Sequence, residues 1–378
     1  MLLNLASLVL GNTGSLAIPT NGSIITVDDD KIDCPNADYA HIQDAINAAE
    51  IGDTIHVYSG LYKENIIINK QITLVGMTNN ESTMPIICPL NSNSTVIIKA
   101  NRCNLQKFKL IGDDGYLEAA LKILSNNNII ENNFILNYSF YGIDLYRSNN
   151  NILENNSISD NNWGIRLQYS YKNIIKNNNL IDNWIGIWID HSSLNTVQKN
   201  NIFNCYYGIS IIFRSNANNI MSNNIINSTF SIDFFKSDCN KILYNTVHIS
   251  ALDGIRIYGS KLTIVKYNNI SNSGYHAIRV LFCSIRQIIE GNNIINNTVG
   301  ISLESYSVLN KIIHNNFIDN NISATFEMSY CNRWSENYWS DFSGFGPYSI
   351  YGKINIQGMH MLPWIVYDRH PLTEPFVH

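Results

Sequence analysis

The chain has 378 residues, is 45% hydrophobic and carries a formal net charge of −5, so it is long enough to bury a large core. The small negative charge excludes a protein built mainly to hold nucleic acid. Asparagine is unusually common, but isoleucines recur at regular positions among the asparagines, which argues against low-complexity disorder.

The first segment is a short apolar run over residues 2–10, followed by Ser15-Leu16-Ala17 as a small-residue cleavage site. This pattern predicts a signal peptide over residues 1–17, an atypical one because the basic segment before the apolar run is missing. A buried first strand is the alternative interpretation. No other apolar run reaches the length of a membrane span. The expected location is therefore extracytoplasmic, either secreted or at the cell surface.

Residues 41–50 predict a short amphipathic helix, since Ile42, Ala45 and Ile46 share one helical face. A helix here would cover the end of a sheet whose unpaired backbone could otherwise recruit other chains. Short strands are expected after it, and residues 77–119 are less regular.

From residue 120 to residue 337, one pattern recurs every 22 to 24 residues. A serine is followed after three residues by a polar residue, usually asparagine, and five residues later by a second asparagine. The second asparagines are Asn133, Asn156, Asn178, Asn200, Asn223, Asn245, Asn268, Asn292, Asn315 and Asn337. A fixed period of this length predicts a stacked array of repeats.

Each repeat also contains an alternating segment, as in Gly142-Ile143-Asp144-Leu145. Alternation of apolar and polar residues predicts a strand with one buried face. Because two or three such strands recur without any helical segment, the predicted class is all-β, a single-stranded parallel β-helix. A leucine-rich repeat shares the period but would need a run of leucines. Coils would stack at about 4.8 Å, so the equivalent asparagines should form hydrogen-bonded ladders.

The expected organisation is a β-helix over residues 24–337, with regular coils over 120–337, and a C-terminal capping segment over 338–378. The seven cysteines show no metal-binding spacing, and we expect them to be small buried hydrophobic residues. The number of subunits is left open.

Several motifs resemble the NosD-like right-handed β-helix proteins, a family with carbohydrate-binding and sugar-hydrolysis repeats that is common among archaeal surface proteins. The opening motif is Gly52-Asp53-Thr54-Ile55, Gly60-x-Tyr62-x-Glu64 and Ile72-Thr73-Leu74-x-Gly76. Asn337-Tyr338-Trp339-Ser340-Asp341-Phe342 and His370-Pro371-Leu372 resemble the closing motif. The resemblance covers about residues 24–376 and implies a right-handed, pectate-lyase-like solenoid. The acidic, glycine-rich loop expected between the closing motifs is replaced here by the segment from Gly344 to Trp364.

The outward positions of the glycine-started strands form the predicted ligand-binding face. We expect one patch made of aromatic and charged side chains: Asp144, Tyr146, Trp163, Arg166, Trp184, Trp188, Asp190 and His191. Flat rings with interleaved charges suit a polysaccharide, because sugars stack on rings and their hydroxyls form hydrogen bonds. The alternative is cross-strand pairing, with Asp144–Arg166 and Asp233–Arg256 as ion pairs and the rings packed on turns.

Catalysis and metal binding are the other hypotheses. A glycosidase needs two carboxyl groups roughly 5–9.5 Å apart, and Asp144 and Asp190 would be separated by about 10 Å. Met359-His360-Met361 offers ligands of the type that copper(I) prefers. The NosD-like family that the chain resembles is also associated by name with copper accessory proteins. The expected function is glycan binding or a structural role in the cell envelope, without cofactor or metal. A polysaccharide lyase or glycoside hydrolase on the same face, and a copper accessory protein, are the alternatives.

Overall fold

Three parallel sheets run side by side along the computed structural model, which describes residues 22–78, 80–112, 118–138, 140–355 and 361–377. The predicted signal peptide, together with Met359 and His360, lies outside these residues. The chain passes from sheet 1 to sheet 2 to sheet 3 in every coil, and each strand pairs with its equivalent on the next coil. The result is a right-handed solenoid of about 13 turns, which confirms the predicted fold class.

Sheet 1 holds the first strand of each coil. Its strands are Ile24–Val27, Thr54–Val57, Thr73–Gly76, Asn104–Gln106, Ile129–Glu131, Ile152–Glu154, Ile174–Lys176, Thr196–Gln198, Asn219–Met221, Lys241–Leu243, Ile264–Lys266, Ile288–Glu290, Lys311–Ile313 and Arg333–Ser335.

Sheet 2 holds the second strand of each coil. Its strands are Leu61–Lys63, Ile86–Cys88, Lys109–Ile111, Phe134–Leu136, Ser157–Ser159, Asn179–Ile181, Asn201–Phe203, Asn269–Ser271, Asn293–Ile295, Asn316–Ile318 and Tyr338–Trp339. Two long strands, Asn224–Phe235 and Thr246–Tyr258, continue from sheet 2 into sheet 3 without a break.

Sheet 3 has the longest regular strands. They are Ile66–Ile68, Val96–Ile98, Ala119–Ile123, Tyr141–Tyr146, Trp163–Gln168, Ile185–Asp190, Tyr207–Ile212, His276–Leu281, Val299–Glu304, Ile322–Glu327 and Tyr348–Ile354. A last strand, Leu362–Asp368, joins its edge in the antiparallel direction.

The core is a set of stacked apolar rows inside the three sheets. One coil contributes Ile130, Ile135, Ile143 and Leu145, all with no exposed surface. The small residue that opens each sheet 3 strand is explained by close approach between coils. A Cβ on Gly142 would lie 2.7 Å from the carbonyl oxygen of Gly164, so a larger side chain would push the coils apart.

The second asparagines form the predicted ladder. Asn178 Nδ2 donates to Asn200 Oδ1 at 3.0 Å, and Asn178 Oδ1 accepts from both the backbone and the amide nitrogen of Asn156 at 3.0 Å. Just before each ladder residue the chain turns through a left-handed residue, such as Asn177 with φ of 55°. The ladder therefore pairs backbone groups that this corner leaves outside the strand hydrogen bonds.

Both ends of the solenoid are covered. The helix is Ile42–Ala48, shorter at both ends than the predicted 41–50, and the Glu64 carboxylate accepts from the backbone N–H groups of Ile42 and Gln43 at 2.9 Å. At the other end the buried Asp368 carboxylate terminates the asparagine ladder, accepting from Asn337 Nδ2 at 3.0 Å and Trp339 Nε1 at 3.2 Å.

Two expectations need correction or refinement. Only Cys103 and Cys205 are buried, whereas three cysteines that lie on corners of the solenoid are exposed: Cys239, Cys283 and Cys331. The capping segment also extends the solenoid, because Tyr348–Ile354 pairs in parallel with Ile322–Glu327. Within the described ranges, no helix has the length and apolarity needed to cross a bilayer.

Candidate functional site

The outward face of sheet 3 arranges the candidate residues in columns, because equivalent residues on successive coils lie side by side. The central column follows the strand register, and its members are Lys122, Asp144, Arg166, Trp188, Ser210, Asp233, Arg256, Arg279, Ser302 and Thr325. A side chain in this column lies between the equivalent side chains of the preceding and following coils, which limit its exposure to solvent.

Asp144 and Arg166 form a closed ion pair. The guanidinium donates to both carboxylate oxygens, at 2.8 Å and 3.0 Å, and its third nitrogen donates to the Tyr141 hydroxyl at 2.6 Å. The Asp144 side chain is 1% exposed. The alternative of cross-strand pairing is confirmed for this pair, and Asp144 has no surface through which it could contact a ligand.

Trp163 and Trp188 pack on their neighbours. The Trp163 ring stacks on Tyr141 with centroids 4.7 Å apart and lies 6.2 Å from the Trp188 ring. Trp188 is half-buried and stands beside Ser210, which is buried. These two tryptophans therefore form part of a packed layer over sheet 3.

Asp190 and His191 lie at the carboxyl edge of the same strands. His191 Nδ1 is 2.6 Å from Asp190 Oδ1, and Gln168 Nε2 donates to Asp190 Oδ2 at 3.0 Å. The His191 ring lies 5.2 Å from Tyr169 in a file of rings along this corner: Tyr146, Tyr169, His191, Phe213, Phe235, Tyr258 and Phe282. Two of the six ring contacts in this file are stacked, and the other four are tilted or T-shaped, so the rings form a packed row along the corner.

Trp184 lies at the opposite edge of sheet 3, which corrects the expectation of a single patch. The strand Ile185–Asp190 separates it from His191, a span of roughly 23 Å for extended chain. The indole is 55% exposed and stacks on Tyr206, with centroids 4.3 Å apart and planes 5° apart. At the equivalent position on the preceding coil stands the short side chain of Asn162, which leaves the other face of the ring open.

A groove of about 750 Å³ runs past this ring along the corner between sheets 2 and 3. We call it the corner groove, and its lining residues are Asp160, Asn161, Asp182, Asn183, Trp184, Asn204, Cys205, Tyr206, Asn227 and Thr229. It combines an exposed ring with carboxylate, amide and hydroxyl groups, which is the composition of a site for a polar ring-shaped ligand.

A second group of polar side chains occupies later coils of sheet 3. We call Asp253, His276, Arg279 and Glu304 the charged cluster. His276 Nδ1 lies 2.8 Å from Asp253 Oδ1, its Nε2 lies 3.7 Å from Glu304 Oε1, and Arg279 forms a two-pronged pair with Glu304. The His276 and Asp253 side chains are only 4% and 1% exposed.

The environment acts on these carboxyl groups in two directions. Burial raises the pKa of Glu304, but hydrogen bonds from Arg279 and Ser302 outweigh that effect and leave the pKa below its ordinary value. Burial raises the pKa of neighbouring Asp233, and the Arg256 guanidinium, 2.7 Å away, offsets this only partly. That ion pair confirms the second predicted cross-strand pair.

The charged cluster was not predicted, although the sequence contains a signal for part of it. Asp253 and His276 each come directly before the small residue that opens a strand, so a fixed offset places them at equivalent positions on adjacent coils. Arg279 and Glu304 lie at two other offsets, and only the structure shows that all four side chains converge.

Among the described histidine, cysteine, aspartate and glutamate residues, one group of three has potential metal-ligand atoms within 4.8 Å of one another: Asp28, Asp29 and Asp30. It offers hard oxygen ligands and lacks the sulfur and imidazole that copper(I) prefers. Met361 is exposed, and its predicted partners Met359 and His360 lie outside the described residues.

Two family profiles match the chain. The profile described as "Right handed beta helix region" matches residues 90–247, and "Periplasmic copper-binding protein (NosD)" matches residues 231–344. A cell surface glycoprotein of Methanothermus fervidus is 32% identical over 108 residues. The match covers 28% of this chain and 18% of that protein, so this chain aligns with only a small part of the relative.

Similar solved structures share the solenoid. The A-module of a mannuronan C-5 epimerase from Azotobacter vinelandii has a TM-score of 0.65 at 14% identity, over 78% of this chain and 94% of that one. The catalytic domain of a GH87 α-1,3-glucanase in complex with nigerose has a TM-score of 0.57 at 15% identity, over 78% and 67%. The Dettilon tailspike protein has a TM-score of 0.59 at 14% identity, over 75% and 64%. At these identities the likeness shows the fold alone.

Proposed function

Because the chain belongs to the family of NosD-like right-handed parallel β-helix proteins, we propose that it works outside the cytoplasm and binds a polysaccharide in the corner groove. The bound glycan contacts the open face of Trp184, and its hydroxyls bond to the carboxylates and amides beside that ring. Trp163, Trp188 and Arg166 lie on the adjoining face of sheet 3, outside the lining of the groove. Asp190, His191 and Tyr146 form a separate surface at the far edge of the strands.

The observation that carries the proposal is the state of Trp184. An indole that exposes more than half of its surface loses the free energy that burial would give it. Tyr206 fixes the plane of the ring by stacking on one side, so the open side is held ready at little entropic cost. A sugar ring that covers this side would bury apolar surface and gain the stacking contribution of about 0.5–1.5 kcal/mol.

The location is supported by the relatives. One matching family is described as periplasmic, and the relative of known location is a cell surface glycoprotein. The names of two structural neighbours refer to polysaccharides, mannuronan and α-1,3-glucan. They agree with a glycan ligand, although neither ligand is assigned to this chain.

Hydrolysis in the same groove is the second candidate, and one observation favours it. Asp160 and Asp182 occupy equivalent positions on successive coils, about 4.8 Å apart along the solenoid. Retaining glycosidases hold their two carboxyl groups roughly 5–5.5 Å apart. Release of reducing ends from a bound glycan would separate hydrolysis from binding alone.

The test is a comparison of two tryptophan variants on a panel of immobilised polysaccharides. We expect Trp184→Ala to weaken binding about tenfold or more, which corresponds to about 1.4 kcal/mol, with an unchanged melting temperature. Trp364→Ala is the matched control, because Trp364 is 50% exposed and lies on the terminal hairpin away from the groove. The proposal fails if the purified protein binds no glycan on the panel, or if both variants bind like the unmodified protein.

A further inference from the structure

The corner groove has negative charge and no positive charge. Among its lining residues Asp160 and Asp182 are ionisable acids, and none is lysine, arginine or histidine. Both carboxylates are exposed. Asp182 Oδ1 accepts from Asn204 Nδ2 at 2.9 Å, and within the described residues the Asp160 carboxylate forms no ion pair.

Elsewhere in the described solenoid, many carboxylates face a cation on an adjacent coil, as Asp144–Arg166 and Glu290–Lys266 do at 2.8 Å. Carboxylates also stand in register at Glu131–Glu154 and Glu304–Glu327, but there one member of each pair binds a cation, Lys176 or Arg279. In the groove, two carboxylates stand in register on adjacent coils and neither has a cation partner among the described residues, an arrangement that is unfavourable without a cation between them. The missing positive charge can be supplied by a ligand.

The amide groups next to the acids reinforce the negative end. Asn227 Nδ2 donates to Asn204 Oδ1 at 2.5 Å, and Asn204 Nδ2 donates to Asp182. One N–H donor of each amide therefore points along the row towards Asp182. The remaining oxygens of Asp160 and Asp182 are acceptors only, so a ligand group that binds to them must bring hydrogen-bond donors.

On these grounds we infer that the groove selects a glycan with free amino groups, an amino-sugar polymer that is cationic at neutral pH. The ammonium group would lie between Asp160 and Asp182, and the open face of Trp184 adds a cation–π attraction. An anionic polyuronate would be repelled by the same two carboxylates. The inference rests on the proposed function and adds the charge class of the ligand.

The experiment uses three soluble probes of equal length: glucosamine oligomers, the same oligomers fully N-acetylated, and galacturonate oligomers. Titration calorimetry at neutral pH and low salt should give about tenfold tighter binding of the free amine than of the acetylated form, and no binding of the galacturonate. The preference should shrink as salt is added, because the groove is open to screening. Equal affinity for the two glucosamine forms, or tighter binding of the galacturonate, would overturn the inference and leave glycan binding intact.

Single substitutions test whether the groove carboxylates are responsible for the preference for the free amine. Asp182→Asn should remove most of the preference for the free amine, because it lowers the affinity for the free amine much more than the affinity for the acetylated oligomer. Asparagine keeps the left-handed turn, and its side-chain oxygen still accepts from a sugar hydroxyl. Asp319→Asn is the matched control: it removes one exposed charge at the equivalent turn of a later coil, with a similar φ of 52° against 54°, and should change nothing. An unaltered preference in Asp182→Asn would also overturn the inference. If Trp184→Ala abolished binding of every probe while Asp182→Asn had no effect, the proposed function would stand and the charge selection would not.

Discussion

The outward face of sheet 3 has two halves built on the same scaffold. Over the coils from Tyr141 to Phe230 its surface is mainly aromatic, and the ion pair Asp144–Arg166 lies beneath the rings. Over the coils from Asp233 to Glu304 its surface is mainly ionic, and a buried histidine joins two carboxylates. The inward residues of both halves are the same kinds of isoleucine, leucine, valine and phenylalanine.

The comparison shows that one set of residues determines the coil and another set determines the chemistry of the outward face of sheet 3. Ladder asparagines and inward apolar residues fix the coil, and they recur in both halves with nearly identical hydrogen-bond lengths. The outward columns carry rings or charges, and the buried charges among them meet a partner on an adjacent coil. The corner groove lies beside the aromatic half, and its two exposed carboxylates have no such partner among the described residues.

The largest effect should come from the shared ladder. Asn178→Leu in the aromatic half and Asn268→Leu in the ionic half each remove the side-chain hydrogen bonds to both neighbouring coils. The backbone N–H groups of Asn156 and Asn245 lose their acceptor, whereas the amide groups of the adjacent ladder asparagines keep a second partner. At about 1–3 kcal/mol for an unsatisfied buried group and about 1 kcal/mol for each further hydrogen bond lost, both variants should lose roughly 4 kcal/mol of unfolding free energy. Denaturant unfolding measures it. A loss in only one half would mean that the two halves do not share one ladder.

The second-largest loss of unfolding free energy should distinguish the Asp144–Arg166 ion pair from the charged cluster. Asp144→Ala leaves the Arg166 guanidinium without its acceptor, and a guanidinium cannot become neutral. We expect a loss of about 3 kcal/mol at pH 6 and at pH 8. Asp253→Ala removes the carboxylate beside His276 and Arg279, but Arg279 keeps its two-pronged pair with Glu304, so its cost should be smaller than that of Asp144→Ala. A cost as large as that of Asp144→Ala would show that the pair between Arg279 and Glu304 does not compensate for the loss of Asp253.

Trp188 sharpens the contrast with Trp184. Trp188→Ala removes a half-buried ring from the layer over Trp163 and Ser210, and we expect it to lower the unfolding free energy by about 2 kcal/mol. Any loss of glycan affinity should be smaller than in Trp184→Ala. If thermal melting were unchanged and binding fell, Trp188 would be the stacking residue and the assignment to Trp184 would be wrong.

Most of the fold could be predicted from the sequence, because each repeat contains the same pattern of apolar, small and asparagine residues. The period, the inward isoleucines and the ladder asparagines each agree with the structure. Asp368 could not be predicted as the end of the ladder, since it reaches Asn337 through an antiparallel hairpin that no repeat encodes. The helix bounds differ because the Glu64 carboxylate sets the first turn from another coil.

The candidate site was harder to predict. The pairing of Asp144 with Arg166 follows from register, but the burial of the pair depends on how Tyr141 and Trp163 lean over it. Placing Trp184 and His191 on one patch overlooked that they flank a strand. Asp253 and His276 stand in one column, but the approach of Arg279 and Glu304 from other columns depends on side-chain conformation. Repeats therefore predict columns well and predict contacts between columns poorly.

The smallest expected effect is on the stability of the fold at low pH. Burial acts to raise the pKa of Glu304, yet the hydrogen bonds from Arg279 and Ser302 hold that pKa below its ordinary value. A carboxyl group with a depressed folded pKa stabilises the fold above its unfolded pKa of about 4.3, and this contribution is lost as the pH falls through the folded value. Glu304→Gln should therefore narrow the stability difference between pH 7 and pH 3. Glu327→Gln is the control, because Glu327 occupies the equivalent position on the next coil and is exposed. The melting temperatures of both variants at the two pH values measure this difference. If the melting temperature changes equally between pH 7 and pH 3 in both variants, Glu304 carries no acid-sensitive stability. The ionic half would then tolerate acid as well as the aromatic half does.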